Sequence, residues 1–174
     1  MAGTTYPNIL GLQSISATVL DSMLPLFEIK SGSTTRASTT TLADDPDLVL
    51  SLPAASTWEV EIWVQYAGLD TANIQTAWDA PSDATGLRQV LGPASNAVNT
   101  NADQISMRAG VHGFSTSVTY GCARNSTNQQ GFFERGLVTM NSAGNIALQW
   151  AQATSNATAT QVDGGSIIRA WRLA

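Results

Sequence analysis

Three carboxylates stand within four residues in "TLADDPDLVL": Asp44, Asp45 and Asp47 flank Pro46, and an apolar run follows. Acids this close together can hold a hard cation or move protons, but each chemistry sets a spacing. A calcium loop alternates its oxygen ligands, bends at a glycine and closes on a distal Glu. Neither that order nor that Glu is present. Proline fixes φ and withholds a donor, and an Asp beside it accepts backbone N–H groups. The pattern therefore predicts a polar turn delivering the chain into a buried strand. Whether Asp44, Asp45 and Asp47 also take a cation is left open.

His112, in "GVHGFS", is the single histidine. A catalytic triad needs a histidine between a nucleophile and an orienting acid, and Ser115 sits in no nucleophile-elbow motif. One histidine and one cysteine, Cys122, are too few for a zinc site. Hydrolysis of a glycosidic bond needs two carboxylates across a cleft. The candidates are Glu59, Glu61, Glu134, Asp79 and Asp163. Glu59 and Glu61 at i, i+2 fall about 7 Å apart along a strand, a spacing that any wet strand face supplies. The expectation is therefore no catalytic residue, no metal and no cofactor. Cys122 reads as a buried free thiol. The sequons at Asn125 and Asn156 arise readily in a chain this rich in Asn and Thr.

The totals exclude further classes. The net charge is −5, and Lys30 is the sole lysine, so no basic stripe is available to a phosphate backbone. No apolar run reaches the roughly 20 residues that span a bilayer, and the N-terminus lacks the charge and apolar core of a signal peptide. Charged residues make up 12% of the chain, about half the usual share. Ser, Thr, Asn and Gln must coat the surface, which suits extensive contact with other proteins.

The elements that would position these residues fall into two parts. In "SISATVLDSMLP", Ile15, Val19, Leu20, Met23 and Leu24 recur at helical spacing, Ser14 or Ser16 can cap, and Pro25 limits the run. One short helix is expected within an N-terminal arm of residues 1–30, followed by a Ser/Gly-rich joint. A helix of about three turns is marginal alone, so its apolar stripe must dock, either beneath the main domain or on a neighbouring chain.

Residues 31–174 read as strands. "TWEVEIWVQY" alternates, with Trp58, Val60, Ile62, Val64 and Tyr66 on one face and Thr57, Glu59, Glu61, Trp63 and Gln65 on the other. "NIQTAWDAP", "QISMRAG", "GFFERGLVTM", "NIALQWAQA" and "GSIIRAWRLA" continue the theme. Asn141 to Gly144 reads as a tight hairpin turn, "VDGG" as a second reversal, and Leu91 to Asp103 as a long exposed loop. Strands at short intervals with no helical pattern between them predict an all-β antiparallel sandwich or jelly roll. All five tryptophans fall in strand-like segments. Trp63 falls on the outward face, where a subunit interface or a stacked sugar would cover it, the remaining alternative being simple exposure at a sheet edge.

The order "ISATVLDSMLP", "TTTLADDPDLVLSLPAASTWEVEIWVQYAG" and "ALQWAQATSNATATQVDGGSIIRAWRLA" resembles small virion proteins of actinobacterial tailed phages, labelled minor tail or structural proteins. The resemblance implies a tumour-necrosis-factor-like jelly roll that associates as a homotrimer, made in the host cytoplasm and carried on the particle surface. It also implies that Leu42 to Leu48 lead into a strand and that Leu148 to Gln152 form a central core strand. The leading expectation is a non-enzymatic capsid decoration or fibre-like protein, anchored to capsid or tail through its arm. The alternative is a host-surface glycan-binding module using Trp63 and the loops 91–103 and 121–130. Neither nucleic acid nor membrane is an expected partner.

Overall fold

The computed structural model describes residues 16, 17, 20, 23–95, 106–123 and 127–174. Twelve strands follow in chain order among them: β1 Leu26–Ile29, β2 Thr34–Arg36, β3 Ala43–Leu52, β4 Ser56–Ala67, β5 Ile74–Asp79 and β6 Thr85–Pro93. The second half holds β7 Met107–His112, β8 Val118–Tyr120, β9 Gln130–Met140, β10 Gly144–Gln152, β11 Thr160–Val162 and β12 Ile167–Arg172.

Two antiparallel sheets divide these strands. The larger runs β1-β12-β4-β9-β6-β7, with β11 also on β4 and β2 on β11, and the smaller runs β3-β10-β5-β8. Successive strands cross between layers: β3 lies in the small sheet, β4 in the large, β5 in the small, β9 in the large and β10 in the small. This is the jelly-roll sandwich the sequence predicts. The inner face of β4 carries the core as its alternation requires, with Trp58 5% exposed and Val60, Ile62, Val64 and Tyr66 fully buried. Trp78, Trp150, Phe132 and Tyr120 fill the space between the layers. Tyr120 and Phe132 stack with centroids 4.4 Å apart.

Several local expectations are corrected. Asn141 to Gly144 join strands of different sheets, β9 and β10, so the segment arches over the sandwich end. β9 alternates buried and exposed positions, whereas β10, central in the smaller sheet, is buried on both faces along most of its length. "VDGG" reverses nothing: β11 and β12 both lie antiparallel to β4, one after the other along the same edge. Gly165, at φ 85°, makes the excursion between them. Residues 26–29, read as the end of the arm and the start of a joint, form β1 on β12. Leu91 to Pro93 belong to β6, and residues 96–105 lie outside the described residues.

Of the expected helix, Ile15 and Val19 lie outside the described residues. Within its span the Leu20 N–H donates to the Ser16 carbonyl at 3.1 Å, and Leu20, Met23 and Leu24 are all more than half exposed. Among the described residues no helix is long and apolar enough to cross a membrane.

Candidate functional site

The acid cluster resolves into a bulge within β3. Between Ala147 and Gln149 of β10 the register jumps from Val49 to Asp44, so residues 45–48 arch away from the ladder. Pro46 is tolerated there because the arch needs no ladder donor. Asp45 Oδ1 accepts the N–H groups of Asp47 at 3.1 Å and Leu48 at 3.3 Å, which is the self-capping turn expected of an Asp beside proline. Its other oxygen accepts the Trp150 indole N–H at 3.0 Å. Lys30 donates to Asp45 and Asp47, each at 2.9 Å, and to Thr34 Oγ1 at 2.7 Å. Asp44 accepts the Gln149 amide at 2.8 Å. Above them the Arg36 guanidinium lies 4.3 Å from the Trp150 ring centroid. Burial lowers the Arg36 pKa, opposed by the charges of Asp45 and Asp44.

The other carboxylates are dispersed. Glu134 is buried, paired with Arg88, and accepts the hydroxyls of Thr76 at 2.7 Å and Tyr120 at 2.8 Å. Burial first, then the Glu134 charge and hydrogen bond, drive the Tyr120 pKa upward. Asp163 accepts from Ser33, Gln161 and Gln129. Asp79 is exposed at the end of β5. His112 ends β7 on the inner side, opposite Arg88, and its buried Nε2 has no partner among the described residues. Cys122 is fully buried, and desolvation, helped by the Asp70 charge, pushes its thiol up to about 12. Asn125 lies outside the described residues, while the Asn156 side chain accepts the Thr158 N–H at 2.8 Å.

The outward face of the large sheet is the feature that stands out. Strand register places Ala109, Leu91, Phe133, Trp63, Ile167 and Ile29 in one row across six strands. The next row runs Val111, Gln89, Arg135, Glu61, Arg169 and Phe27, and a third runs Leu87, Leu137, Glu59 and Trp171. Trp63 is 45% exposed, Leu137 53%, Leu87 57% and Phe27 58%. Between the apolar rows the charges cancel. Arg135 pairs with Glu59 and, at 3.6 Å, Glu61, while Arg169 donates to Glu61 at 2.8 Å and lies 4.7 Å from the Trp171 ring centroid. Single exposed apolar residues need no explanation, but a contiguous patch of this kind marks a contact surface.

Trp63 was legible as an outward indole from its strand parity. Its neighbours were not. Leu87, Leu91, Val111 and Phe27 come from three other strands, and only the register assembles them. The apolar spacing of Leu87 and Leu91 was a signal, but Arg88 between them hid the strand.

No family model matches the chain, and no curated protein matches it. Among solved structures, a chain of the tripod from the baseplate of bacteriophage Tuc2009 overlaps at a TM-score of 0.37 and 11% identity, over 94% of this chain and 72% of that one. The VP2 subviral particle of infectious bursal disease virus overlaps at 0.24 and 4% identity, over 86% and 41%. A lipoprotein of Bacteroides thetaiotaomicron overlaps at 0.22 and 7%, over 85% and 87%. Overlaps this loose leave the function to the chain's own surfaces.

Proposed function

We propose that this chain is a non-enzymatic structural protein of a bacteriophage particle. In this reading it is a homotrimeric capsid decoration or fibre-like surface protein, held to capsid or tail proteins by its N-terminal arm. The observation that carries the self-association is the apolar outward face of the large sheet. The three rows hold six, six and four outward positions, and at about 4.8 Å between strands and about 6.8 Å between rows they span roughly 520 Å² of flat sheet. A standard interface takes about 800 Å² per partner. The occupant is a further copy of the chain because the face is apolar and charge-balanced: Glu59 and Glu61 offset Arg135 and Arg169, and exposed apolar side chains surround them. A net-charged partner would find no field to bind.

The trimeric order and the phage particle come from the sequence resemblance. The arm agrees with them: Leu20, Met23 and Leu24 leave their apolar side chains uncovered next to β1, as residues that dock on another protein would. The carboxylates favour no catalytic role, since Glu134 and Asp163 are consumed by internal partners and Glu59 and Glu61 by arginines. Sedimentation equilibrium tests the reading. The full chain sediments as a trimer at micromolar concentration, and Leu137→Glu, placing a charge in the apolar rows, yields a folded monomer. A wild-type monomer, or an assembly indifferent to Leu137→Glu and Trp63→Glu, overturns it.

A further inference from the structure

At one end of the sandwich, between the β5–β6 connection and the β7–β8 connection, lies a cleft of about 460 Å³ lined by Trp78, Asp79, Ser82, Gly86, Phe114 and Ser115 among others. Its size falls in the range of small-molecule sites, roughly 300–1,000 Å³. We propose that this cleft binds a neutral saccharide, at a place distinct from the outward sheet face and independent of self-association.

Three observations support this. The first is an aromatic wall: Phe114 stacks on Trp78 with centroids 5.9 Å apart and planes 11° from parallel. Trp78 is only 1% exposed, so Phe114, half-buried, is the ring that a ligand meets. The C–H face of a sugar packs on such a surface. The second is unspent polarity. Asp79, Ser82 and Ser115 are exposed, and among the described residues no bond engages their side chains and the buried Trp78 indole N–H has no acceptor. A carboxylate with two hydroxyls is a set of acceptors and donors suited to a polyol. The third is a fixed shape. The Trp78 backbone N–H donates to the Phe114 carbonyl at 2.9 Å, tying the two walls together. Asn141 and Ser142 hold Asp83 in the loop above, Ser142 at 2.6 Å. Gly86, at φ 145°, lies where a side chain would run into Leu137 and Phe114. A preformed site loses little on binding.

The lining also selects against other ligands. Among the described residues that line it, Asp79 alone is charged, which repels anions, and one carboxylate is too few for a divalent cation. A cationic amine would want several exposed aromatic faces, and the cleft presents one.

The test is a titration of the full chain with galactose, glucose and N-acetylglucosamine, followed through the Trp78 indole ¹⁵N–¹H resonance, with spermidine as the cationic control. At least one sugar shifts that resonance saturably below about 50 mM, well above a millimolar Kd. Asp79→Asn weakens the response about tenfold or more, and Ser115→Ala weakens it by a smaller factor. Both positions are exposed, so folding is retained. No saturable response to any sugar overturns the proposal. So do a response unchanged in both variants, binding of spermidine alone, or a sugar response lost in Trp63→Ala and kept in Asp79→Asn.

Discussion

Lys30 Nζ lies 2.9 Å from Asp45 Oδ1, with neither side chain exposed to solvent. Lys30 directly follows β1, an edge strand of the large sheet, whereas Asp45 sits in the β3 bulge of the small sheet. The pair ties the start of the sandwich across both layers. Asp47, 38% exposed, shares the ammonium from the solvent side.

Removing one member of a buried pair leaves the other charge without compensation, at a cost of about 3–5 kcal/mol. Lys30→Met is expected to fall in that range by urea denaturation. The double variant Lys30→Met/Asp45→Asn is expected to recover part of the loss, because the stranded charge is gone. A Lys30→Met variant as stable as the parent would contradict the burial of the pair.

Tyr120→Phe removes one of the two hydroxyls on the buried Glu134 while leaving its pairing with Arg88 and the stack on Phe132 intact. A hydrogen bond to a charged group contributes about 1.5–3 kcal/mol. That loss should appear as a lower midpoint with an unchanged denaturant slope. A changed slope would place the effect in the unfolded state.

Among the described residues, three acids have pKa values raised by burial: Cys122 to about 12, with Tyr66 and Tyr120 also driven up. In each the unfolded group ionises at lower pH than the folded one. Between these two pKa values the unfolded chain binds fewer protons, so stability falls as pH rises. For Cys122 the contribution is intact below about 9 and is lost by about 12; the tyrosines act from about 10 upward. Denaturation midpoints measured from pH 8 to pH 11 should fall, and Cys122→Ala should flatten the lower part of that slope. Iodoacetamide should leave Cys122 unmodified in the native protein at pH 8.

Deleting residues 1–25 spares β1 and Lys30, so the truncated chain is expected to keep its thermal midpoint and lose incorporation into particles. Deleting residues 1–30 removes both and is expected to destabilise the sandwich as well. Normal incorporation of the shorter truncation would refute the anchoring role of the arm.

Strand parity made much of this molecule readable. The alternation in β4 told Trp58 and Ile62 from Glu61 and Trp63 with no knowledge of neighbours, because successive side chains in a strand face opposite ways. Pro46 between aspartates announced a self-capped turn, and Asp45 makes one. Less readable was β6, where Arg88 occupies an inner position and breaks the apolar alternation. It is accommodated because Glu134, 46 residues away, meets it there. The loop at Asn141 had the residues of a hairpin, yet hairpin and arch use the same turn chemistry. Which sheet the next strand joins is settled by packing.

The chain's own order of residues determined that it folds as strands, which side chains of each strand turn inward, and that its acids lack the spacing of a metal loop. Local sterics and the two-residue period of the strand decide those things. Tertiary structure alone decided which strands are neighbours. It set Lys30 against Asp45, Arg88 against Glu134, Trp63 in a row with Leu91, and Asp79 beside Phe114. Such pairings depend on register and layer crossing, which couple residues far apart in sequence and leave no mark on either segment read by itself.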